Sequence, residues 1–333
     1  AQNGDSSSNQ TQATLPESVA RTDSNALSVS EVATKVADAV VEISTESVTT
    51  SNYMQQYVTE GAGSGVIVSS DGTILTCNHV IEGASKITVR LRSGESYDAT
   101  VVAADDASDV AILKIEATGL TAAPMGDSDA LSVGEQTVVI GNPLGALGGS
   151  ITTGILSASE REITINNEKM TLLQTDAAIN PGNSGGGMFD AYGNLIGIVV
   201  AKSSGTTIEG LGFAIPINTV KDIYEQLMDN GYVTGRAVLG VTMTEQQAVS
   251  LGSSSSRAYV IVTGVSENSP AAEAGIQPGD IILSIDDQEV TSAASLKSYI
   301  RECSVGDSVQ LVLLRGNNTV TVTATLAESR PES

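Results

Sequence analysis

The spacing of apolar positions changes several times along the chain, and each change marks an element. Val29, Val32, Val36 and Val40 recur at helical spacing, and Ser28 and Glu31 stand at capping-box spacing before them. A short helix is therefore predicted from about Leu27 to Asp38. From "AVVEIST" onward the apolar runs become short and are separated by turn residues. "GSGVIVSSDGTILTCNHV" reads as a hairpin turning at Asp71-Gly72, and "KITVRLRSGESYDATVVAAD" as another turning at Ser93-Gly94. "VAILKIE", "TVVIGNP", "SITTGILSASER", "TLLQTDA", "LIGIVVAK" and "GLGFAIPI" continue the series. A helix over 219–229 follows, with Asn218 as its cap, Val220, Ile223, Tyr224 and Leu227 on its apolar face, and Gly231 as its stop.

After that helix "GYVTGRA" (231–237) reads as a linker, and a second, smaller unit runs over 238–327. It holds the strands "VLGVTM", "AYVIVTGV", "DIILSIDD", "SVQLVLLR" and "TVTVTATL", with a helix over "SAASLKSYIREC". Short strands with few helices predict a mainly β chain rather than βαβ units. The expected organisation is a polar spacer over 1–26, a first domain over 27–230, the linker, a second domain over 238–327 and a tail over 328–333.

Composition narrows the function. The 333 residues include two Phe and no Trp, so the cores must be built from Val, Ile, Leu and Ala. A net charge of −23 without any run of Lys or Arg excludes a phosphate-tracking surface, so no nucleic-acid partner is expected. The acidity reads first as a self-repelling, soluble surface. Cys77 and Cys303 fall in different domains, so no disulfide between them is expected, and both read as small core residues. With one histidine there is no Cys/His zinc cluster, and Asp127 and Asp129 are too few for calcium. No metal or cofactor is predicted. No stretch approaches the roughly 18 apolar residues of a membrane span. The polar start reads as a spacer whose upstream part was removed, and three origins stay open: a signal peptide, an anchor helix, or an arbitrary boundary of no biological meaning.

Two segments carry candidate chemistry. "NPGNSGGG" places Ser184 in a glycine-rich turn between apolar strands, where backbone N–H groups are presented with little side-chain cover. A nucleophilic serine needs a base and N–H donors aimed at a developing oxyanion. Gly182 and Ser184 have the spacing for two convergent amides, with Asn183 between them. The single histidine, His79, ends the apolar run "TILTCNHV". A lone histidine is more often structural, but this is the chain's only side chain that ordinarily titrates near neutrality. Asp109 precedes the strand "VAILKI" and can tuck beneath it, whereas Asp105 and Asp106 read as solvated turn residues. The chain order His, Asp, Ser is one of the orders in which catalytic triads occur.

"TCNHVI", "SDVAILKI", "GNPLG", "QTDAAINPGNSGGGM" and "GLGFAIPI" together resemble the HtrA (high-temperature-requirement) family of serine proteases, over roughly residues 27–327. The resemblance implies a chymotrypsin-like double β-barrel followed by a PDZ domain. It assigns His79 as general base, Asp109 as its orienting group, Ser184 as nucleophile, and the backbone of Gly182, Asn183 and Ser184 as oxyanion hole. It places Ala178 at the floor of the S1 pocket, with Ile179 and Ile215 lining it for a small aliphatic P1 side chain. Asn183 carries no charge to pair with a new N-terminal amine, so control is expected from the loops over 141–150 and 201–210. In the PDZ domain, the amides of Leu239 and Gly240 would bind a peptide's C-terminus. The peptide would lie beside Val241 and against Leu296 and Ile300, although Leu239 and Val241 also read as plain core residues. Arg236 reads as a linker cation that either assists that carboxylate or serves the linker alone. The implied partners are unfolded polypeptides, peptide C-termini and two further copies in a trimer. The implied place is the bacterial cell envelope, outside the cytoplasm and tethered through a removed N-terminal segment. The rival is a peptide-binding chaperone or stress sensor that is proteolytically silent at rest.

Overall fold

Two closed six-stranded barrels and a separate PDZ-like sheet organise the chain. The structure, a computed structural model, describes residues 25–50, 56–142, 149–165, 168–201, 211–248 and 257–330. Most of the expected N-terminal spacer, and most of the two control loops over 141–150 and 201–210, lie outside the described residues. Helix α1 (Val29–Val36) opens the ordered chain with the predicted capping box, Glu31 N–H bonding the Ser28 hydroxyl while the Glu31 carboxylate bonds Ser28 N–H.

The first barrel comprises β1 (Val40–Thr50), β2 (Gln56–Ile67), β3 (Thr73–Thr76), β4 (Lys86–Arg90), β5 (Ser96–Asp105) and β6 (Val110–Ile115), in the order β1-β2-β3-β6-β5-β4. The hairpin glycines Gly72 and Gly94 take φ of 99° and 96°, which side chains rarely adopt. The second barrel comprises β7 (Gln136–Gly141), β8 (Ser150–Ile165), β9 (Glu168–Thr175), β10 (Gly187–Phe189), β11 (Leu195–Val200) and β12 (Gly212–Pro216), in the order β10-β11-β12-β9-β8-β7. Each barrel has its own interior: Ile43, Ile74 and Leu113 fill the first, and Leu156, Leu173 and Met188 the second.

The largest apolar cluster is the seam between the barrels, where Val66, Leu75 and Val110 meet Ile140, Phe189, Ile198 and Ile215. Helix α1 and helix α3 (Ile217–Asn230) cover that seam with Val32, Val36, Val220, Ile223 and Leu227. Helix α3 begins earlier than the sequence predicts. Its N-cap is Pro216, and the Asn218 amide is spent on the Asp127 carboxylate at 2.7 Å. Its end is as expected, with Gly231 at φ 79°. The same Asp127 carboxylate accepts the Asp129 N–H at 3.1 Å, which makes "GDSD" a turn anchored to α3.

The PDZ-like unit comprises β13 (Ala237–Val238), β14 (Val241–Ala248), β15 (Arg257–Val265), α4 (Pro270–Glu273), β16 (Ile281–Ile285), β17 (Gln288–Glu289), α5 (Ala293–Glu302), β18 (Ser308–Arg315), β19 (Asn318–Thr325) and β20 (Ala327–Glu328). The run "VLGVTM" is two strands, not one. Gly240, at φ 80°, turns the chain between β13 and β14, and a Cβ there would meet the Ser269 Cβ at 2.3 Å. Strand β14 lies at one edge of its sheet, with α5 beside it. The expected tail begins too early as well. Ala327 and Glu328 pair with Val238 and Ala237, and the Glu328 carboxylate accepts the Gly235 N–H at 2.9 Å, so the C-terminal strand grips the linker. Among the described residues no helix is long and apolar enough to cross a membrane.

Asp280 anchors this second core. It is 1% exposed, and Arg315 grips both carboxylate oxygens, Nε at 2.7 Å and Nη2 at 2.8 Å. The Arg315 hydrogen bond outweighs the opposing effect of burial, and with the Gln277 N–H it holds the carboxyl below its ordinary range. A carboxyl lowered on folding adds stability that is complete above its unfolded pKa and lost as pH falls through the folded one. The PDZ contribution from Asp280 is therefore expected to be constant down to about pH 4 and to decline below it. Asp280→Asn should lower the thermal midpoint at neutral pH and flatten its acid limb, measured by circular dichroism across pH.

Candidate active site

His79 does not end a strand. Strand β3 stops at Thr76, and His79 lies in the one-turn helix α2 (Asn78–Ile81) that follows Cys77. The reason is a backbone tie: the Asn78 N–H donates to the Asp109 carbonyl at 3.1 Å, which turns the chain out of the sheet. That turn carries the imidazole to the seam between the barrels, while the Cys77 side chain is fully buried in the seam core and its thiol donates to the Val199 carbonyl at 3.4 Å.

Asp109 has a φ of 57°, the left-handed region that Asp and Asn tolerate better than most residues. Its carboxylate accepts the His79 N–H at 2.8 Å and lies 2.6 Å from His79 Nδ1. A carboxylate can only accept, so Nδ1 carries the proton and Nε2 presents its lone pair outward. His79 Nε2 is 3.0 Å from the Ser184 hydroxyl, and the Ala201 N–H donates to that same oxygen at 3.1 Å. The amide fixes the oxygen as an acceptor on that side and leaves its proton for Nε2. The three predicted side chains thus form one hydrogen-bonded line from two barrels.

The nucleophile turn is built around its glycines. Asn183 N–H donates to the Asn180 carbonyl at 3.0 Å, across Pro181 and across Gly182 at φ 97°, which is the signature of a type II turn. That bond corrects one expectation: the Asn183 amide is occupied and cannot donate to an oxyanion. The Gly182 and Ser184 amides donate to no group among the described residues. Gly185 sits against the first barrel, where a Cβ would come within 2.2 Å of both the Ser64 carbonyl and the Thr76 hydroxyl. The Asn183 side chain lies against Gly141, and its Nδ2 is buried with no partner among the described residues, as is Asn142 Oδ1.

The expected S1 residues separate. Ala178 is exposed, and its carbonyl accepts the Thr152 hydroxyl at 2.8 Å. Ile179 packs beside the second barrel's interior and over Gly212, where a Cβ would meet its Cδ1 at 2.6 Å. Ile215 does not join it. On β12 the side chains alternate, so Ala214 enters the barrel while Ile215, 2% exposed, enters the seam. Gly212, absent from the sequence-based set, is the contact that strand alternation would have chosen instead.

In the PDZ-like unit, Leu239 and Leu296 are fully buried core side chains and Ile300 nearly so, with Val241 packed against them. The Leu239 and Gly240 carbonyls are used inside the fold, accepting from Ala271 and Ser266. Cys303 is half-buried, and its thiol donates to the Tyr299 carbonyl at 3.4 Å. Asp105 is not the solvated turn residue expected. It accepts from the Ser108 N–H at 2.8 Å and from the Ser108 hydroxyl, and it pairs with Arg236. Burial opposes its ionisation, but the Arg236 and Ser108 hydrogen bonds prevail and hold the carboxyl below its ordinary range. Arg236 therefore ties the linker to the first barrel.

Cys77, His79 and Asp109 hold the one Cys/His/acid grouping close enough for a metal among the described residues, their donor atoms lying within 4.8 Å of one another. An ion there would have to part the Asp109–His79 bond.

Residues 63–198 match the trypsin-like peptidase domain family, and residues 237–326 match the PDZ domain family. The serine endoprotease DegS of Haemophilus influenzae is 39% identical over 268 residues, covering 79% of this chain and 76% of that protein. The periplasmic serine endoprotease DegP of Escherichia coli is 41% identical over 287 residues, covering 83% of this chain and 59% of that protein. The serine protease Do-like HtrB of Bacillus subtilis is 40% identical, with 63% of its length covered. The chain thus spans about three fifths of several of the curated relatives it matches. The solved HtrA-type protease AlgW with a decapeptide superposes with a TM-score of 0.59 at 35% identity, covering 92% of this chain and all of that one. With a trypsin-like domain followed by a PDZ domain, and 39% identity to DegS over 76% of that protein, the chain belongs to the HtrA-type serine proteases.

Proposed function

We propose that the protein is a serine endopeptidase that cleaves unfolded or misfolded polypeptides and uses its PDZ domain to bind peptide C-termini. The observation that carries this reading is the unbroken line Asp109–His79–Ser184, at 2.6 Å and 3.0 Å. Ser184 attacks the scissile carbonyl as its proton passes to His79 Nε2, and Asp109 stabilises the imidazolium that forms. The oxyanion is received by the Gly182 and Ser184 amides. His79 then gives its proton to the leaving amine, and the same base activates water against the acyl-enzyme. A proteolytically silent peptide binder would leave this geometry without a purpose.

The S1 pocket is assigned to Ala178, Ile179 and Gly212. With no acid at its floor it suits small aliphatic side chains, and one methylene more or less changes preference by only about 1–3 kcal/mol. In the PDZ domain the free edge of β14 supports addition of a peptide strand, with its carboxylate at the Leu239 and Gly240 amides. DegP relatives are named periplasmic, which supports an envelope location. Assembly as a trimer and tethering upstream of residue 1 complete the reading by family likeness.

A fluorophosphonate probe should label the protein at Ser184, and Ser184→Ala should abolish labelling; a wild-type chain that takes no probe contradicts the enzyme reading. Asp109→Asn should keep the left-handed turn and the fold while lowering kcat by about 10⁴-fold, because the wrong tautomer then faces Ser184. A peptide ending in a free carboxylate should bind the PDZ domain, and its C-terminal amide should bind at least tenfold more weakly by calorimetry, since a charge-assisted hydrogen bond is worth about 1.5–3 kcal/mol.

A further inference from the structure

Ser64 lies in β2 of the first barrel, fully buried and outside the triad. All of its polar groups are nonetheless committed around the nucleophile. Its hydroxyl donates to the Gly182 carbonyl at 2.7 Å and accepts the Asn142 N–H at 2.8 Å. Its own N–H donates to the Ser184 carbonyl at 2.8 Å, and its carbonyl accepts the Thr76 hydroxyl at 2.7 Å.

The direction of these bonds is fixed by chemistry. A serine hydroxyl has one proton. The Asn142 amide can only donate, so the Ser64 oxygen accepts there and its proton points at Gly182. The Gly182 carbonyl and the Asn183 N–H are opposite edges of one peptide plane. Asn180 holds the N–H edge and Ser64 holds the carbonyl edge, so the plane cannot rotate without breaking a hydrogen bond. The Gly182 N–H lies just before this plane and the Ser184 N–H just after it. The Ser184 carbonyl is pinned in turn by the Ser64 amide. One residue of the opposite barrel thus sets the framework from which both unspent amides project.

We infer that Ser64 is a positioning residue for the oxyanion donors: its hydroxyl locks the Gly182–Asn183 peptide and, through the Asn142 amide, couples that lock to the end of β7. The inference rests on the acyl-transfer reading above. It adds that transition-state stabilisation depends on a side chain that meets neither substrate nor triad. Removing the hydroxyl takes this donor from the half-buried Gly182 carbonyl and leaves the buried Asn142 amide without its acceptor, while the Ser64 amide and the His79–Ser184 contact remain.

The test is Ser64→Ala measured three ways against wild type: steady-state cleavage of an unstructured protein, affinity for a peptidyl boronic acid, and affinity for the N-terminal product peptide. The boronate adduct places an oxygen where the oxyanion would form, whereas the product peptide reports ground-state binding. We expect kcat to fall about 10- to 100-fold, since a displaced donor costs less than one deleted outright. Boronate affinity should fall by a similar factor, with KM and product affinity nearly unchanged. A Ser64→Ala protein with wild-type kcat and boronate affinity overturns this inference alone. So does one in which product affinity falls as far as kcat, which is general loosening. A wild-type chain that neither cleaves nor forms the adduct overturns the acyl-transfer reading with it. If Ser64→Ala does not fold, Ser64→Cys fills the same space with a weaker donor and reads the same contrast.

Discussion

The Asp109 carboxylate takes two hydrogen bonds from one residue, from the amide and from Nδ1 of His79, and its left-handed backbone permits this. In that conformation the Asp109 carbonyl also receives the Asn78 N–H, which bends β3 into α2 and brings the imidazole round. The turn leading to it is held from behind, because the Asp105 carboxylate binds both the amide and the hydroxyl of Ser108. A strained residue of this kind persists only where its surroundings over-determine it, and these hydrogen bonds, with that of the Asp109 N–H to the Asp106 carbonyl, do so. The imidazole is thus fixed in ring direction and in tautomer before any substrate arrives.

The nucleophile comes from the other barrel, so the distance between His79 and Ser184 is set by how the barrels pack. The seam core of Val66, Leu75, Phe189, Ile198 and Ile215 sets that distance, and its glycines allow it to be short. Gly185 stands where a Cβ would strike the facing barrel; at Gly63 it would strike Val80 of its own barrel at 2.5 Å and crowd the facing Ser184 carbonyl at 3.3 Å. Bringing two backbones this close exposes carbonyls that need donors, and Ser64 supplies two of them. The glycine-rich stretch within β2 and the one around Ser184 are therefore two halves of one contact.

Beyond the barrels, the end of the linker is held from both domains. Arg236 reaches Asp105, four residues before Asp109, while the C-terminal strand β20 pairs with β13 and Glu328 takes the Gly235 amide. Chain termini and linkers usually carry few such bonds. Here the last strand of the PDZ domain closes onto the segment that enters it, so this domain meets the protease through a braced connection.

The sequence by itself determined the strand pattern, the two domains and which three side chains would meet in one hydrogen-bonded line, because periodicity, turn residues and a glycine-rich serine motif are local signals. In the second domain it drew a peptide strand beside Val241 and against Leu296 and Ile300, side chains that the fold also uses in its core. What only the tertiary structure decided lies wherever two distant backbones meet. The one-turn helix under His79 depends on Asp109, thirty residues on. Asn183 lost its amide to a turn closed by Asn180, Ile215 entered the seam because β12 alternates, and Asp105 found Arg236 from the linker. Ser64 looked like any strand serine. Its role exists only because folding sets a buried hydroxyl against a half-buried carbonyl of the facing barrel, and no local pattern records which donor such a carbonyl will find.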